Sequence, residues 1–332
     1  MIPLTPIINI ISPANRGACL SILIFHRVLP KPDPLFPGEP DAAWFNQMLG
    51  WLKQWFNVLP LDDALTRLSE SRLPARAAAI TFDDGYADNY HVARPLLKKQ
   101  GLSATFFIAT GYTDGGTMWN DVVIEAVRSG KNKSLDLRQI QAFGNSQSTI
   151  FPMATIAEKS TTILAILPKI KHLPIIEREA AANAIADQIG IKTPTDLMMN
   201  AQQILEMRQS GMLIGAHTVT HPILANLNAA EVRKEISDSK IQLEALLQEE
   251  INLFAYPNGK PNFDYRAKDA AIIKELGFKA ALSTAWGVVD DKSDLMQLPR
   301  FTPWDRSKFR FGARLIKNII QNRKMKPSQN AG

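Results

Sequence analysis

Short apolar runs alternate with longer amphipathic segments along most of the chain. The runs are continuous and bounded by polar or turn residues, which is typical of buried strands. They cover residues 21–25, 77–82, 105–108, 213–216, 253–255, 278–282 and 295–300. Helical patterns cover residues 44–56, 61–68, 90–100, 229–249, 267–276 and 306–324. Because strands and helices alternate, we predict an α/β protein built on a parallel sheet.

One long stretch, residues 117–210, interrupts this alternation with a mostly helical pattern, clearest over 176–189 and 195–209. Strands resume after it, which indicates a helical insertion within one domain, although a separate helical subdomain also fits the pattern. We therefore divide the chain into an N-terminal extension (1–19), an α/β domain (20–305) and a basic C-terminal helix and tail (306–332).

The composition narrows the class of protein. The chain has 332 residues, of which 45% are apolar and 21% charged, as in a soluble globular protein. No apolar run approaches the ~20 residues that span a bilayer. The single cysteine, Cys19, excludes a disulfide framework and a cysteine-based zinc site. The apolar run at residues 7–11 lacks a preceding basic residue, so we expect an unprocessed start and a cytoplasmic location.

The net charge of +6 is a local feature. Residues 306–332 carry eight lysines and arginines and no acid, so the remaining chain has 30 basic and 32 acidic residues and a net charge of −2. A nucleic-acid-binding body is therefore not expected. The basic helix could pack on the domain through its apolar positions, or it could attract an anionic membrane surface.

Unusual polar groups follow the predicted strands. His26, Asp83, Asp84, His217 and the turn at 256–259 each come directly after an apolar run. Because the carboxyl ends of parallel strands share one edge of a sheet, these groups are expected to converge. The convergence of four such segments is stronger evidence of a functional site than any one segment alone.

Two of these segments suggest a metal site. Asp83-Asp84-Gly85 could be an ordinary solvated turn, but adjacent carboxylates at a buried strand end repel each other, and a cation relieves that repulsion. His217 and His221 are separated by three β-branched residues and followed by Pro222, which predicts a wide turn rather than a helix. Two imidazoles and one carboxylate would provide three ligands with open positions for water and substrate.

The segments 81–85 (TFDDG), 217–222 (HTVTHP) and 254–259 (FAYPNG) resemble, in order, three motifs of the polysaccharide deacetylases, the NodB-homology carbohydrate esterases. The resemblance covers roughly residues 20–303. It implies an irregular, incomplete (β/α) barrel and metal-dependent removal of acetyl groups from N-acetylated glycans. Asp84, His217 and His221 match the metal ligands, for which zinc is expected, Asp83 the general base, and the Asn258 N–H the oxyanion donor.

Two departures from the family pattern concern residues around the base and the acid. The third motif lacks its usual arginine, and no histidine follows His221. The segment around His26 resembles the branch that includes deacetylases of poly-N-acetylglucosamine and similar exopolysaccharides, in which the acid histidine lies on the first strand. Arg300, at the edge of the site, could replace the missing arginine and contact the substrate, or it could be a surface charge.

Other residues are candidate substrate contacts. Trp119, Asp121, Tyr256 and Trp286 could stack on or hydrogen-bond a sugar, although Trp119 could equally begin a helix and Trp286 could pack in the core. Two other functions are also considered: a sugar-binding pseudoenzyme, suggested by the departures, and a 2-His-1-carboxylate iron enzyme. The adjacent Asp83, a positioned base, favours hydrolysis over iron chemistry.

Overall fold

A curled parallel sheet forms the centre of the molecule. The structure is a computed structural model, which describes residues 4–144 and 149–325. The strands are β1 (Leu20–Phe25), β2 (Asn57–Val58), β3 (Ala77–Phe82), β4 (Thr105–Ile108), β5 (Ser134–Asp136), β6 (Ile150–Pro152), β7 (Leu213–Ala216), β8 (Leu253–Ala255) and β9 (Ala280–Leu282). The sheet runs β1-β3-β4-β7-β8-β9, all parallel, and β2 pairs with the start of β3. Strands β5 and β6 form a separate antiparallel pair.

Helices cover the outside of the sheet and form most of the insertion. They are α1 (Leu4–Ile11), α2 (Ala42–Trp55), α3 (Leu61–Ser69), α4 (Arg94–Gln100), α5 (Trp119–Ser129), α6 (Ile156–Ile170), α7 (Ile175–Ile189), α8 (Ala201–Gln209), α9 (Ala229–Leu247), α10 (Ala267–Glu275) and α11 (Lys308–Met325). Within the described ranges, none of them combines the length and apolar character that a bilayer crossing requires.

Alternation along β3 determines which side chains face the inside of the curled sheet. Ala78, Ile80 and Phe82 join the hydrophobic cluster that the sheet forms with its covering helices, and Phe82 stacks on Phe106 with ring centroids 4.7 Å apart. Ala77 and Ala79 belong to a second cluster, on the concave side. Successive side chains of a strand point to opposite faces, so the same alternation directs Asp83 to the concave side.

An irregular segment, residues 298–301, lies between the two edge strands. The Leu298 N–H donates to the Ala281 carbonyl at 2.8 Å, and the Phe301 N–H donates to the Ile22 carbonyl at 2.7 Å. The strand predicted over 295–300 is wrong: Leu295–Gln297 is a 3₁₀ turn, and Pro299 has no N–H to extend a ladder. The predicted fold class, an irregular, incomplete (β/α) barrel, is confirmed.

Two helix predictions need correction. Helix α1 lies in the predicted N-terminal extension and buries Ile8, although no helix was expected there. Helix α8 begins at Ala201 rather than at residue 195, because Asn200 caps it: the Asn200 side chain accepts from the Gln203 N–H at 2.9 Å. The residues directly before Asn200 are irregular, and Met198 forms a bridge with Tyr86.

The insertion between β4 and β7 has a hydrophobic cluster of its own. Its helices α5, α6 and α7 bury Val123, Ile166 and Ile185 against one another. Helix α11 packs on the barrel and buries Phe311, Leu315 and Ile319 in its main hydrophobic cluster. The predicted packing role of this helix is therefore confirmed. Residues 326–332 of the predicted basic tail lie outside the described residues, and membrane contact stays a prediction.

Candidate metal and catalytic site

The polar residues predicted at the strand ends lie together at the carboxyl edge of the sheet. They line one cavity of about 260 Å³. The cavity-lining residues from these strand ends are His26, Asp83, Asp84, His217, His221 and Asn258. Parallel strands bring their carboxyl ends to one edge, and the curl of the sheet turns that edge into a cavity.

Three potential ligand atoms converge in this cavity. Asp84 Oδ1 lies 3.3 Å from His217 Nε2 and 3.3 Å from His221 Nε2. Although buried, Asp84 Oδ1 has no hydrogen-bond partner with acceptable geometry among the described residues. Two ligands of a tetrahedral zinc ion, each about 2.0–2.1 Å from it, would lie roughly 3.3 Å apart. The three atoms therefore have the chemistry and spacing of a divalent metal site.

A backbone contact orients His217. Its Nδ1 donates to the Ala255 carbonyl at 2.7 Å, an assignment that follows from the carbonyl being an acceptor only. The other ring nitrogen, Nε2, then presents its lone pair to the site, as in metal-binding histidines held by a backbone carbonyl. His217 is thus oriented by the end of β8; burial would lower its pKa, but the neighbouring Asp84 and Asp83 outweigh it and raise that pKa.

The electrostatics of the cluster favour a cation. Burial would raise the pKa of Asp84, but the favourable interactions of its carboxylate with the His217 and His221 imidazoles outweigh it and hold that pKa well below its usual range. Burial lowers the pKa of His221 below its ordinary value despite the nearby Asp84. At neutral pH an ionised carboxylate therefore stands beside a neutral imidazole, the protonation states that metal ligands need.

The turn that carries His221 has a strained backbone, and a side chain from another element stabilises it. Thr218 and His221 have φ angles of 64° and 53°, in the left-handed region that non-glycine residues rarely adopt. The Glu235 carboxylate, from α9, accepts from the Val219 and Thr220 N–H groups, each at 2.9 Å. Sequence analysis missed Glu235, which fixes the turn and through it the position of His221.

Asp83 is paired with Arg300. The guanidinium donates to both carboxylate oxygens, with Nη1–Oδ1 and Nη2–Oδ2 distances of 2.7 Å. Burial would raise the pKa of Asp83, but Arg300 and His217 outweigh it, and that pKa lies below its usual value. Arg300 also donates from Nε to the Ser283 carbonyl at 2.8 Å and is fully buried. The surface-charge interpretation of Arg300 is therefore wrong.

Asn258 is a cavity-lining residue with an unusual backbone conformation. Asn258 follows Pro257 in the turn after β8 and has a φ of 59°. Thr284 Oγ1 donates to the Asn258 carbonyl at 2.9 Å. The Asn258 N–H makes no hydrogen bond with other residues in the described part of the chain. A fixed, unpaired N–H at the cavity wall is suited to a developing oxyanion.

The structure brings only one of four other candidate substrate contacts to the cavity. Trp119 lines the cavity and begins α5. Asp121 is buried behind it and accepts from the Tyr86 hydroxyl at 3.0 Å. The Tyr256 side chain is fully buried, and its hydroxyl donates to the Met296 carbonyl. Trp286 contacts Phe301 and Trp304 and lines a different depression, beside α11, so its predicted sugar contact is outside this cavity.

Two basic residues of the insertion, Lys171 and Arg178, also line the cavity and were missed by sequence analysis. Arg178 lies on the buried face of α7. The buried positions of this helix are Arg178, Ala181, Ala182, Ile185, Ala186 and Ile189. The signal was present in the sequence as one charged residue within an otherwise apolar helical stripe.

The fold and the site define a class of protein: an incomplete (β/α) barrel with carboxylates and histidines at the carboxyl ends of its strands, suited to hydrolysis. The sequence profile of the family described as polysaccharide deacetylase matches residues 70–193 and 149–281 in overlapping segments, more than half of the chain. The chain therefore belongs to the polysaccharide deacetylase family and is an N-deacetylase. The family resemblance of the motifs is confirmed.

Individual relatives are similar to this chain over most of its length. The chain is 21% identical over 288 residues to "Putative polysaccharide deacetylase YxkH" of Bacillus subtilis, covering 86% of this chain and 72% of that protein. The structure is similar to Streptococcus pyogenes deacetylase PplD in complex with acetate (20% identity, 91% and 98% of the two chains, TM-score 0.59). It is also similar to IcaB from Ammonifex degensii (19% identity, 89% and 96%, TM-score 0.56). These structures share the fold.

Proposed function

We propose that this protein hydrolyses the N-acetyl group of an amino sugar in a glycan or glycan precursor, and that one zinc ion assists the reaction. The observation that carries the proposal is that Asp83, held by Arg300 through two hydrogen bonds, lines the same cavity as Asp84, His217 and His221. The cluster provides three ligands, and the paired carboxylate provides a separate base.

Each residue has a distinct role in the proposed reaction. A zinc ion held by Asp84, His217 and His221 would supply Lewis acidity, which polarises an acetamide carbonyl and activates water. Asp83 accepts the proton of the attacking water, since Arg300 keeps its carboxylate ionised and oriented. The Asn258 N–H donates to the oxyanion of the tetrahedral intermediate.

His26 is proposed as the acid that protonates the leaving nitrogen. It follows β1, is exposed, and lines the same cavity as the base and the ligands. Its backbone is held because Asn89 Nδ2 donates to the His26 carbonyl at 2.9 Å. An exposed imidazole can be reprotonated from solvent after each turnover, as an acid catalyst requires.

The two departures from the family pattern no longer favour a sugar-binding pseudoenzyme. Arg300 is bonded to Asp83 as an arginine that holds the base would be, and His26 lines the same cavity as Asp83. A 2-His-1-carboxylate iron centre would use Asp84, His217 and His221 but would leave the buried Asp83–Arg300 pair without a role.

Acetate release tests the proposal. The protein is freed of metal with a chelator and assayed on N,N′-diacetylchitobiose and on N-acetylated polymers, with zinc, with ferrous iron and without metal. We expect acetate and a free amine in equal amounts only when metal is restored, with zinc effective in the absence of an oxidant. Sugar binding without acetate release in any condition would instead support the pseudoenzyme.

A further inference from the structure

The basic residue Arg178 is buried in the cavity wall. Only 3% of its surface is exposed, and its Nε and Nη2 atoms are buried with no hydrogen-bond partner in the described residues. It forms no ion pair with any carboxylate of the described chain. Burial lowers the pKa of Arg178, and the weaker interactions with Tyr112, Glu179 and Glu235 offset this only in part. A buried guanidinium is costly unless an anion pairs with it.

Neighbouring groups hold Arg178 and add to the positive potential. Its guanidinium carbon lies 5.2 Å from the centroid of the Trp119 ring, a cation–π contact that restrains the group against the cavity wall. Arg178 is the fourth residue of α7, close to the end of that helix where the backbone dipole is positive. Neither neighbour neutralises the charge.

The charges around the cavity do not balance. Asp83 is neutralised by Arg300, so Asp84 is the one acidic lining residue left to oppose Lys171 and Arg178 among the described cavity-lining residues. A divalent ion bound by Asp84, His217 and His221 would raise the excess of positive charge further. A neutral N-acetylated sugar has no negative charge that could pair with these basic side chains.

We propose that Arg178 and Lys171 form an oxyanion subsite, so that the preferred substrate is an N-acetylated amino sugar that bears a phosphate or carboxylate group. This inference rests on the proposed function and specifies its substrate class. A guanidinium binds both oxyanions through two parallel N–H donors, and Lys171 adds a point charge. Because Arg178 and Lys171 line the same cavity as Asp83 and Asp84, the anion would lie close to the acetamido group, on the same or the adjacent sugar.

Matched substrates and variants test the subsite. Acetate release is measured on N-acetylglucosamine phosphate, on N-acetylmuramic acid, which carries a carboxylate, and on neutral N,N′-diacetylchitobiose. The zinc-loaded wild-type protein is compared with Arg178→Met, Arg178→Lys, Lys171→Met and the control Lys192→Met, an exposed residue outside the cavity. The two anionic substrates distinguish a phosphate from a carboxylate preference.

We expect the wild-type kcat/KM to be higher on at least one anionic substrate than on the neutral one. Loss of a charge-assisted hydrogen bond of about 1.5–3 kcal/mol corresponds to ~10–100-fold, so Arg178→Met should lower the anionic-to-neutral ratio of kcat/KM by that factor, mainly through KM. Arg178→Lys should keep part of the preference, and Lys192→Met all of it. Equal losses on all substrates, or an unchanged ratio, would overturn the inference.

A binding measurement separates this inference from the proposed function. Calorimetry with glucosamine phosphate and with muramic acid, the deacetylated anionic sugars, reports the subsite without catalysis. Binding that weakens in Arg178→Met supports the subsite even where no acetate is released, a result that would contradict only the proposed function. Acetate release from chitobiose, combined with equal binding of both anionic sugars by wild type and Arg178→Met, would contradict only the subsite.

Discussion

Arg300 holds Asp83 through two hydrogen bonds of 2.7 Å across a separation of 217 residues in sequence. Both side chains are buried, so neither charge has water to replace its partner. The pair fixes the carboxylate plane of Asp83 beside the ligand cluster and keeps it ionised. This geometry leads to the first of five predictions.

Replacing Arg300 with methionine should cost both stability and turnover. The change leaves Asp83 buried and unpaired, for which a loss of about 3–5 kcal/mol in the free energy of unfolding is expected. Urea unfolding and acetate release measure the two effects. The double variant Asp83→Asn/Arg300→Met removes both charges and should regain part of the stability but no activity. A single variant as stable as wild type would contradict the structural importance of the pair.

Replacing His217 with alanine should remove the metal. The variant loses one of the three ligand atoms, the Nε2 of the imidazole that the Ala255 carbonyl orients. Zinc content and acetate release should therefore fall together. Elemental analysis of the purified protein measures the metal. His91→Ala, a change at an exposed histidine outside the cavity, is the control and should retain it. Full stoichiometric zinc in His217→Ala would show that the ligand set is different.

Replacing Asp83 with asparagine should separate metal binding from catalysis. The ligands Asp84, His217 and His221 remain, so zinc content should be unchanged. Turnover should drop by the ~10²–10⁴-fold that loss of a general base produces. Acetate release at saturating substrate measures this. Wild-type turnover in the variant would place the base elsewhere.

Replacing His26 with alanine should affect substrates according to their leaving group. An amine must be protonated as it leaves, whereas an activated phenolate does not, so the loss in kcat should be larger on an N-acetylated sugar than on an aryl acetate ester. Because His26 is exposed, the free energy of unfolding and the zinc content should change little. Equal losses on amide and ester would argue against the acid role.

Replacing Asp121 with asparagine should change the pH dependence of stability. Burial raises the pKa of Asp121 to about 7 from its ordinary value of 3.8, although Arg27 and the Tyr86 hydroxyl oppose this. The folded protein therefore keeps a proton that the unfolded chain releases. The stability that Asp121 contributes is complete below about pH 4 and is lost as the pH rises through about 7.

Urea unfolding of the metal-free proteins between pH 4 and pH 8 measures this difference. The free energy of unfolding of Asp121→Asn, relative to wild type, should rise by at most about 1.4 kcal/mol per pH unit up to pH 7 and then level off. Asparagine can still accept from the Tyr86 hydroxyl, so the comparison isolates the charge. A relative stability that does not vary with pH would mean that Asp121 is ionised in the folded protein.

Most of the strands and the ligand triad could be predicted because their determinants are local. A buried run such as residues 77–82 followed by Asp83-Asp84 establishes a strand and its carboxyl end within a few residues of chain. The predictions that were wrong involved local signals overridden by distant contacts. Residues 295–300 are apolar enough for a strand, yet Pro299 and the neighbouring edge strands leave only isolated hydrogen bonds.

The sequence by itself determined which chemical groups stand at the strand ends, because covalent order places them there. Only the tertiary structure decided which other groups join them. It buries Tyr256 and Asp121 away from the cavity and brings Arg300 to Asp83, Glu235 to the His221 turn and Arg178 to the cavity wall. The reason is physical: the direction and environment of a side chain depend on segments packed against it, and those segments are remote in sequence.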